Sequence, residues 1–170
     1  MAESDGYQQN KIETTTRIEE AVAGPPARDR LVLKLQRALP RILACQPVGL
    51  AYLYGSITTG LVTPFSDVDV ALVVDEGLLP LERLKLTLRI QLDLADRCDL
   101  ANGDVRIIND APLVFRGRVV CDGILVYARD EQERIEFETT TRLRYFDYQP
   151  VHRRLQNAFF ADLRERGLYG

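Results

Sequence analysis

Residues 54–70 read Y-G-S-I-T-T-G-L-V-T-P-F-S-D-V-D-V, and the reading of this stretch decides the fold. Ahead of it, Val48–Tyr54 is an apolar and aromatic run with strand character that ends in Gly55-Ser56. Behind it, residues 67–74 (DVDVALVV) form a second, valine-rich strand. Asp67 and Asp69 are spaced by two, so on a strand they point to one face. Both open an otherwise apolar run, where like charges repel and bare burial is costly. A hard cation with oxygen ligands resolves that conflict, and magnesium commonly takes one or two carboxylates plus substrate phosphates. Strand-edge acids bathed in water are the competing reading. Gly55 lets backbone approach a ligand, and Ser56 offers a hydroxyl and an N–H at a helix start. Such a turn suits a triphosphate tail.

Upstream, a helical pattern starts at Ala27, with Leu31, Leu35, Ala38 and Ile42 recurring at threes and fours. Pro40 is expected to kink or end that helix near Leu39. Residues 1–27 form a polar arm closed by Gly24-Pro25-Pro26, within which residues 11–23 can form a short helix. Downstream, residues 84–94 alternate as a strand would, yet leucine, lysine, arginine and glutamine favour helix. The spacing predicts a helix starting just after Pro80, with Leu81, Leu84, Leu88, Leu92 and Ala95 on one face. Leu86, Ile90 and Leu94 are then left over, which predicts a homo- or hetero-oligomeric contact there.

A third strand is expected over residues 104–109 (DVRIIN) after the turn Asn102-Gly103. Asp104 on it supplies another carboxylate with the outlook of Asp67 and Asp69, although an ordinary turn acid is a fair rival. Three acids can hold two metal ions that clamp the attacking and leaving oxygens of an in-line displacement. The third can also take the acceptor's proton. Asn109-Asp110-Ala111-Pro112 reads as a cap followed by a helix to about Val120, and Ile124–Arg129 as a further strand. Residues 131–166 are helical, with an interruption expected at Pro150. Ile135, Leu143 and Phe146 form a stripe before it, and Val151, Leu155 and Phe159 another after it. The sum is one α/β domain, a small mixed β-sheet flanked by helices. Its expected parts are the arm (1–27), the sheet domain (28–130) and a C-terminal helical extension (131–170) packed on the same domain.

Composition narrows the function. The chain has 170 residues, 46% of them apolar, enough for a real core. Its net charge of −3 argues against a general polyanion binder, so no direct nucleic-acid binding is expected. Cys45, Cys98 and Cys121 are odd in number and far apart, and His152 alone cannot complete a zinc set. A reduced, cytoplasmic protein is expected. The opening MAESDGYQQNKIE lacks the basic and apolar regions of a signal peptide, and no apolar run approaches a membrane span. The aromatics Tyr145, Phe146, Tyr148, Phe159 and Phe160 read as core or interface rather than a base-stacking platform.

Gly55-Ser56, ten residues, Asp67-Val68-Asp69 and a strand carrying Asp104 together resemble polymerase-beta-like nucleotidyltransferases. Further downstream, N-D-A-P-L-V-F-R-G-R-V-V-C-D-G-I-L-V-Y-A-R-D (109–130), R-I-E-F-E (134–138) and Y-F-D-Y-Q-P (145–150) resemble the MntA antitoxins paired with HEPN-domain (HepT) toxins. The likeness spans roughly residues 28–160. It implies an adenylyltransferase antitoxin that moves AMP from ATP to a tyrosine of a HEPN ribonuclease toxin. Gly55 and Ser56 would then bind the triphosphate, Asp67 and Asp69 two magnesium ions, and Asp104 a metal and the acceptor proton. One position departs from the pattern. The family often carries Arg directly after G-S, where this chain has Ile57, leaving Thr58 or Thr59 to supply a phosphate contact. Two other functions fit part of the pattern: a nucleotidyltransferase for a small hydroxyl compound such as an aminoglycoside, and an antitoxin acting by binding alone.

Overall fold

The computed structural model describes residues 27–59, 67–100 and 103–166. The expected arm, apart from Ala27, lies outside them, as do the Thr59 side chain and the Asn102 turn. The elements are α1 (Ala27–Leu43), β1 (Val48–Tyr54), α2 (Ser56–Thr59), β2 (Val68–Val74), α3 (Pro80–Cys98), β3 (Gly103–Ile107), α4 (Leu113–Asp122), β4 (Ile124–Ala128) and α5 (Glu131–Arg166). The sheet order is β3-β2-β1-β4. β1 runs antiparallel to β2 and β4, while β2 and β3 are parallel, joined by the crossover helix α3. The architecture is the mixed sheet flanked by helices that the sequence predicts. Among the described residues no helix is long and apolar enough to cross a membrane.

Alternation along the strands sends alternate side chains into two apolar layers. On one face Leu53, Val70, Leu72 and Val105 pack beneath Leu35 and Leu39 of α1 and Ile90 and Leu94 of α3. On the other, Leu50, Tyr52, Ala71 and Val73 meet Val119 and Phe115 of α4 and Phe137 of α5. Tyr52 donates its hydroxyl to Glu138 at 3.0 Å, and the same buried carboxylate takes Arg134 and Arg142, each at 3.0 Å. A buried acid thus ties α5 to the middle of the sheet. Gly117 matters to the same docking, because a Cβ there would collide with the Tyr145 ring.

Several expectations are corrected. α1 does not end near Leu39 but continues through Pro40 to Leu43. Ile42 and Leu43 are buried in the core, and their burial offsets the one hydrogen bond proline cannot donate. α5 is likewise continuous through Pro150, and the Arg154 side chain donates to the Pro150 carbonyl at 3.4 Å. The aromatics beyond Tyr145 are not core: Phe146, Phe159 and Phe160 are exposed.

α3 starts at Pro80 as expected, with the Leu79 N–H held by Glu82 at 2.8 Å. Its buried face is the opposite one. Leu86, Ile90, Leu94 and Cys98 enter the core, and Leu81, Leu84, Leu88 and Leu92 face solvent. Three charges flank either stripe, so flanking charge alone does not set the phase. The polar neighbours of the buried stripe find partners within the fold: Thr87 and Gln91 on the Arg83 and Gly103 carbonyls at 2.9 and 2.7 Å, Arg83 on Asp110, and Asp93 on Arg97. Lys85, Arg89 and Asp96, beside the leucine stripe, stay exposed. The unpartnered face of α3 is therefore the leucine stripe, and the contact expected at Leu86, Ile90 and Leu94 has no basis there.

β3 is shorter than predicted, and Asn109 lies beyond it. Its side chain accepts from the Val74 N–H at 2.9 Å and donates to the Val74 carbonyl at 2.7 Å, extending the ladder by one amide. Asn109 and Asp110 do not cap α4, which starts at Leu113 behind Pro112. Asp110 pairs instead with Arg83 of α3.

Candidate active site

The C-terminal end of β1 and the N-terminal ends of β2 and β3 meet at one edge of the sheet. In the ladder Tyr54 is opposite Asp69, and Asp69 is opposite Asp104. Paired positions share a face, so these three side chains stand in a row on the α4 side. Asp67 precedes β2 and is exposed. The three carboxylates read from the sequence are thus neighbours, with Asp69 the half-buried centre.

Electrostatics confirm the crowding. Burial pushes the Asp69 carboxyl above the usual range, the charges of Asp104 and Asp67 push it further, and Arg106 pulls it back. Among the described residues Asp69 makes no salt bridge. Gly55 lies against this centre. Its φ of +75° is a left-handed backbone that favours glycine, and a Cβ there would collide with the Asp69 carboxylate. Gly55 is required twice over, by backbone and by space.

Ser56 opens the four-residue helix α2. Thr58 turns its hydroxyl back to the Gly55 carbonyl at 2.8 Å, bracing the turn that the sequence assigned to phosphate contact. Ile57, at the position where the family it resembles often carries arginine, is buried in the core.

Three residues of this edge escaped the sequence reading. Arg106 reaches Asp104 at 3.2 Å and lies 5.8 Å from the Phe115 ring centre. Phe115 meets Tyr54 edge to face at 5.4 Å. The Tyr54 hydroxyl is pushed up by burial, with Arg106 opposing and Asp69 and Asp104 adding to the shift. Arg106 brings to the carboxylate row the positive charge missing after Gly55-Ser56. Its spacing of two from Asp104 on a strand was the available signal. Phe115 comes from α4 and carries no sequence signal of its own.

Among the described residues no three acidic, histidine or cysteine side chains converge closely enough to cage a metal as they stand. The donor chemistry nevertheless fits a hard divalent cation: oxygen donors only, crowded enough to raise Asp69. Without such a cation, Arg106 is the charge that moderates the row. Arg106→Gln is therefore expected to raise the Asp69 carboxyl further. In the metal-free protein the Asp69 carboxyl should then titrate at higher pH than in the wild type. A carbon-13 NMR titration of the two metal-free proteins checks this, and an unmoved Asp69 carboxyl would separate Arg106 from Asp69.

The family model described as polymerase beta, nucleotidyltransferase matches residues 38–132, which include the whole carboxylate row. A chain of a crystallised toxin–antitoxin complex with AMP-PNP is 21% identical with a TM-score of 0.55, over 79% of this chain and 99% of that one. A chain of an MntA–HepT toxin–antitoxin complex is 20% identical with a TM-score of 0.54, over 74% and 97%. A third, from tri-AMPylated Shewanella oneidensis HEPN toxin in complex with MNT antitoxin, is 20% identical with a TM-score of 0.55, over 76% and 98%. At these identities the likeness is one of fold. No curated protein matches the chain. The family match covers more than half of the sequence and carries the signature acids, so the chain belongs to the polymerase beta nucleotidyltransferase family.

Proposed function

We propose that the protein is an antitoxin that transfers AMP from ATP to a tyrosine hydroxyl of a HEPN-domain toxin in the cytoplasm and thereby silences it. The observation that carries the reading is the row Tyr54, Asp69, Asp104 beside the Gly55 turn, an acidic edge built where a triphosphate can approach bare backbone. The fold shared with chains of toxin–antitoxin complexes, one with AMP-PNP and one with an AMPylated toxin, supports the choice of donor and acceptor.

Asp67, Asp69 and Asp104 would hold two magnesium ions, which when bound neutralise charge on the triphosphate. The chain's own residues do the rest. Gly55, Ser56 and the Thr58–Thr59 turn would bind the β- and γ-phosphates, leaving the α-phosphorus over the carboxylates. The acceptor oxygen forms a bond to the α-phosphorus, the bond to the α,β-bridging oxygen breaks, and pyrophosphate leaves with that electron pair. The acceptor proton passes to the Asp104 carboxylate. Arg106, already on Asp104, is placed to steady the charge on the transferring group.

Intact-mass spectrometry of a HEPN toxin, incubated with this protein, ATP and magnesium, tests the proposal. The toxin is expected to gain one or more AMP masses only when both ATP and magnesium are present. A toxin that is fully inhibited yet unmodified assigns the protein to inhibition by binding alone. Transfer to an aminoglycoside instead of the toxin assigns it to small-molecule modification.

A further inference from the structure

The bare leucine stripe lies on α3, which packs on the side of the sheet away from α4. Leu81, Leu84, Leu88 and Leu92 recur at intervals of three, four and four, which puts them on one helical face, and they are 52–67% exposed. The half-buried Ala95 continues the stripe by a further turn. Along one edge of it stand Lys85 and Arg89 in the N-terminal half and Asp96 in the C-terminal half. All three are exposed, and none has a salt-bridge partner among the described residues. Contiguous apolar surface of this kind marks an interface.

The order of residues along the stripe names its occupant, because the stripe is complementary to itself. Two copies of α3 can be set antiparallel about a two-fold axis that passes beside residue 90. Leu88 of one copy then falls opposite Leu92 of the other, and Leu92 opposite Leu88. Leu84 falls opposite Ala95, a large side chain against a small one. On the flank, Lys85 falls beside Asp96 of the other copy, and the two-fold repeats that pair at the far end. One axis therefore centres both the apolar seam and the charges, as a two-fold interface requires. An unrelated helix would need only the leucines. A parallel pairing in register would set Lys85 against Lys85 and Arg89 against Arg89, which is repulsive. We infer that the leucine face of α3 binds a second copy of this chain, antiparallel, with Leu84, Leu88 and Leu92 in the seam and Lys85 on Asp96. The seam runs about 21 Å along the helix. A helix pair of that length buries on the order of 1,000 Å² in total, the low end of specific interfaces, so the dimer dissociates in the micromolar range. The pairing leaves the carboxylate row on the α4 side uncovered, and the inference is independent of the transfer reaction.

Sedimentation velocity of the full chain alone, from about 1 to about 200 µM, tests it. The expected result is a monomer that passes to a dimer within that range. Leu88→Glu puts two carboxylates at the centre of the seam and should weaken the dimer at least about a hundredfold. Leu155→Glu, the same change on the exposed end of α5, is the control and should leave the dimer intact. The charges test the register. Asp96→Lys replaces two attractive pairs by two repulsive ones and should weaken the dimer about tenfold at low salt. Lys85→Asp should do the same. Lys85→Asp/Asp96→Lys restores opposite charges across the two-fold and should return the dimer to within about threefold of the wild type. Melting curves check each fold, and the exposed charge swaps carry the test if Leu88→Glu does not fold. A chain that stays monomeric throughout, whether or not a HEPN toxin seats on the leucines instead, overturns the inference. So does a dimer indifferent to Leu88→Glu, or a double swap that is no better than either single change.

Discussion

Asp69→Asn is expected to lower AMP transfer by at least about a hundredfold while leaving the ligand-free protein as stable as the wild type or more so. The two effects have one origin. Asp69 is half-buried, and its carboxyl is raised by burial and by the charges of Asp104 and Asp67. A carboxyl whose folded value lies above its unfolded 3.8 costs the fold nothing when both states are protonated. Stability is then lost as pH rises from about 3.8 through the folded value, and the loss is complete above it. Asparagine keeps the shape and omits the charge, so the variant escapes this loss at neutral pH. Its advantage should shrink as pH falls toward the unfolded value. Asp67→Asn should cost transfer too, with little change in melting, because Asp67 is exposed. Melting curves from pH 4 to 8 beside a transfer assay measure both. If the Asp69→Asn protein melts well below the wild type without ligand, Asp69 is a structural partner and leaves the site.

How much of this edge was readable in the sequence depends on the range of the interaction that built it. Strand alternation is local, so β1, β2 and their polar starts could be read directly, and Asp69 and Asp104 fell on neighbouring strands as expected. The helix phase of α3 was not local. Two leucine stripes of similar strength lie on opposite sides, each flanked by three charges, and the outcome turned on partners supplied from elsewhere in the fold, Asp110 for Arg83 and the Gly103 carbonyl for Gln91. The prolines misled for a related reason. A proline cost of about 3 kcal/mol is a local quantity, whereas buried Ile42 and Leu43 repay it at Pro40 through contacts distant in sequence. Tyr54 and Phe115 meet only because α4 folds over the end of β1.

Gly55→Ala is expected to be among the most damaging single-methyl changes in the chain, and its damage should be divisible into two parts. The backbone part comes from φ +75°, where an L side chain costs about 1–2 kcal/mol. For a domain of this size that lowers Tm by about 2–8 °C. The second part is the collision between the new methyl and the Asp69 carboxylate. It must move either the turn or the acid, and either movement separates the Gly55 turn, where phosphate binding is proposed, from the carboxylate row. Transfer should therefore fall by at least about a hundredfold even where the protein remains folded, since small misplacements of reacting groups are costly. A double-mutant cycle isolates the collision. In an Asp69→Ala background the carboxylate is absent, so Gly55→Ala should cost only its backbone part and the two changes should be less than additive in Tm. Strict additivity would mean that the methyl and the carboxylate do not meet, and Gly55 would then be needed for its backbone conformation alone.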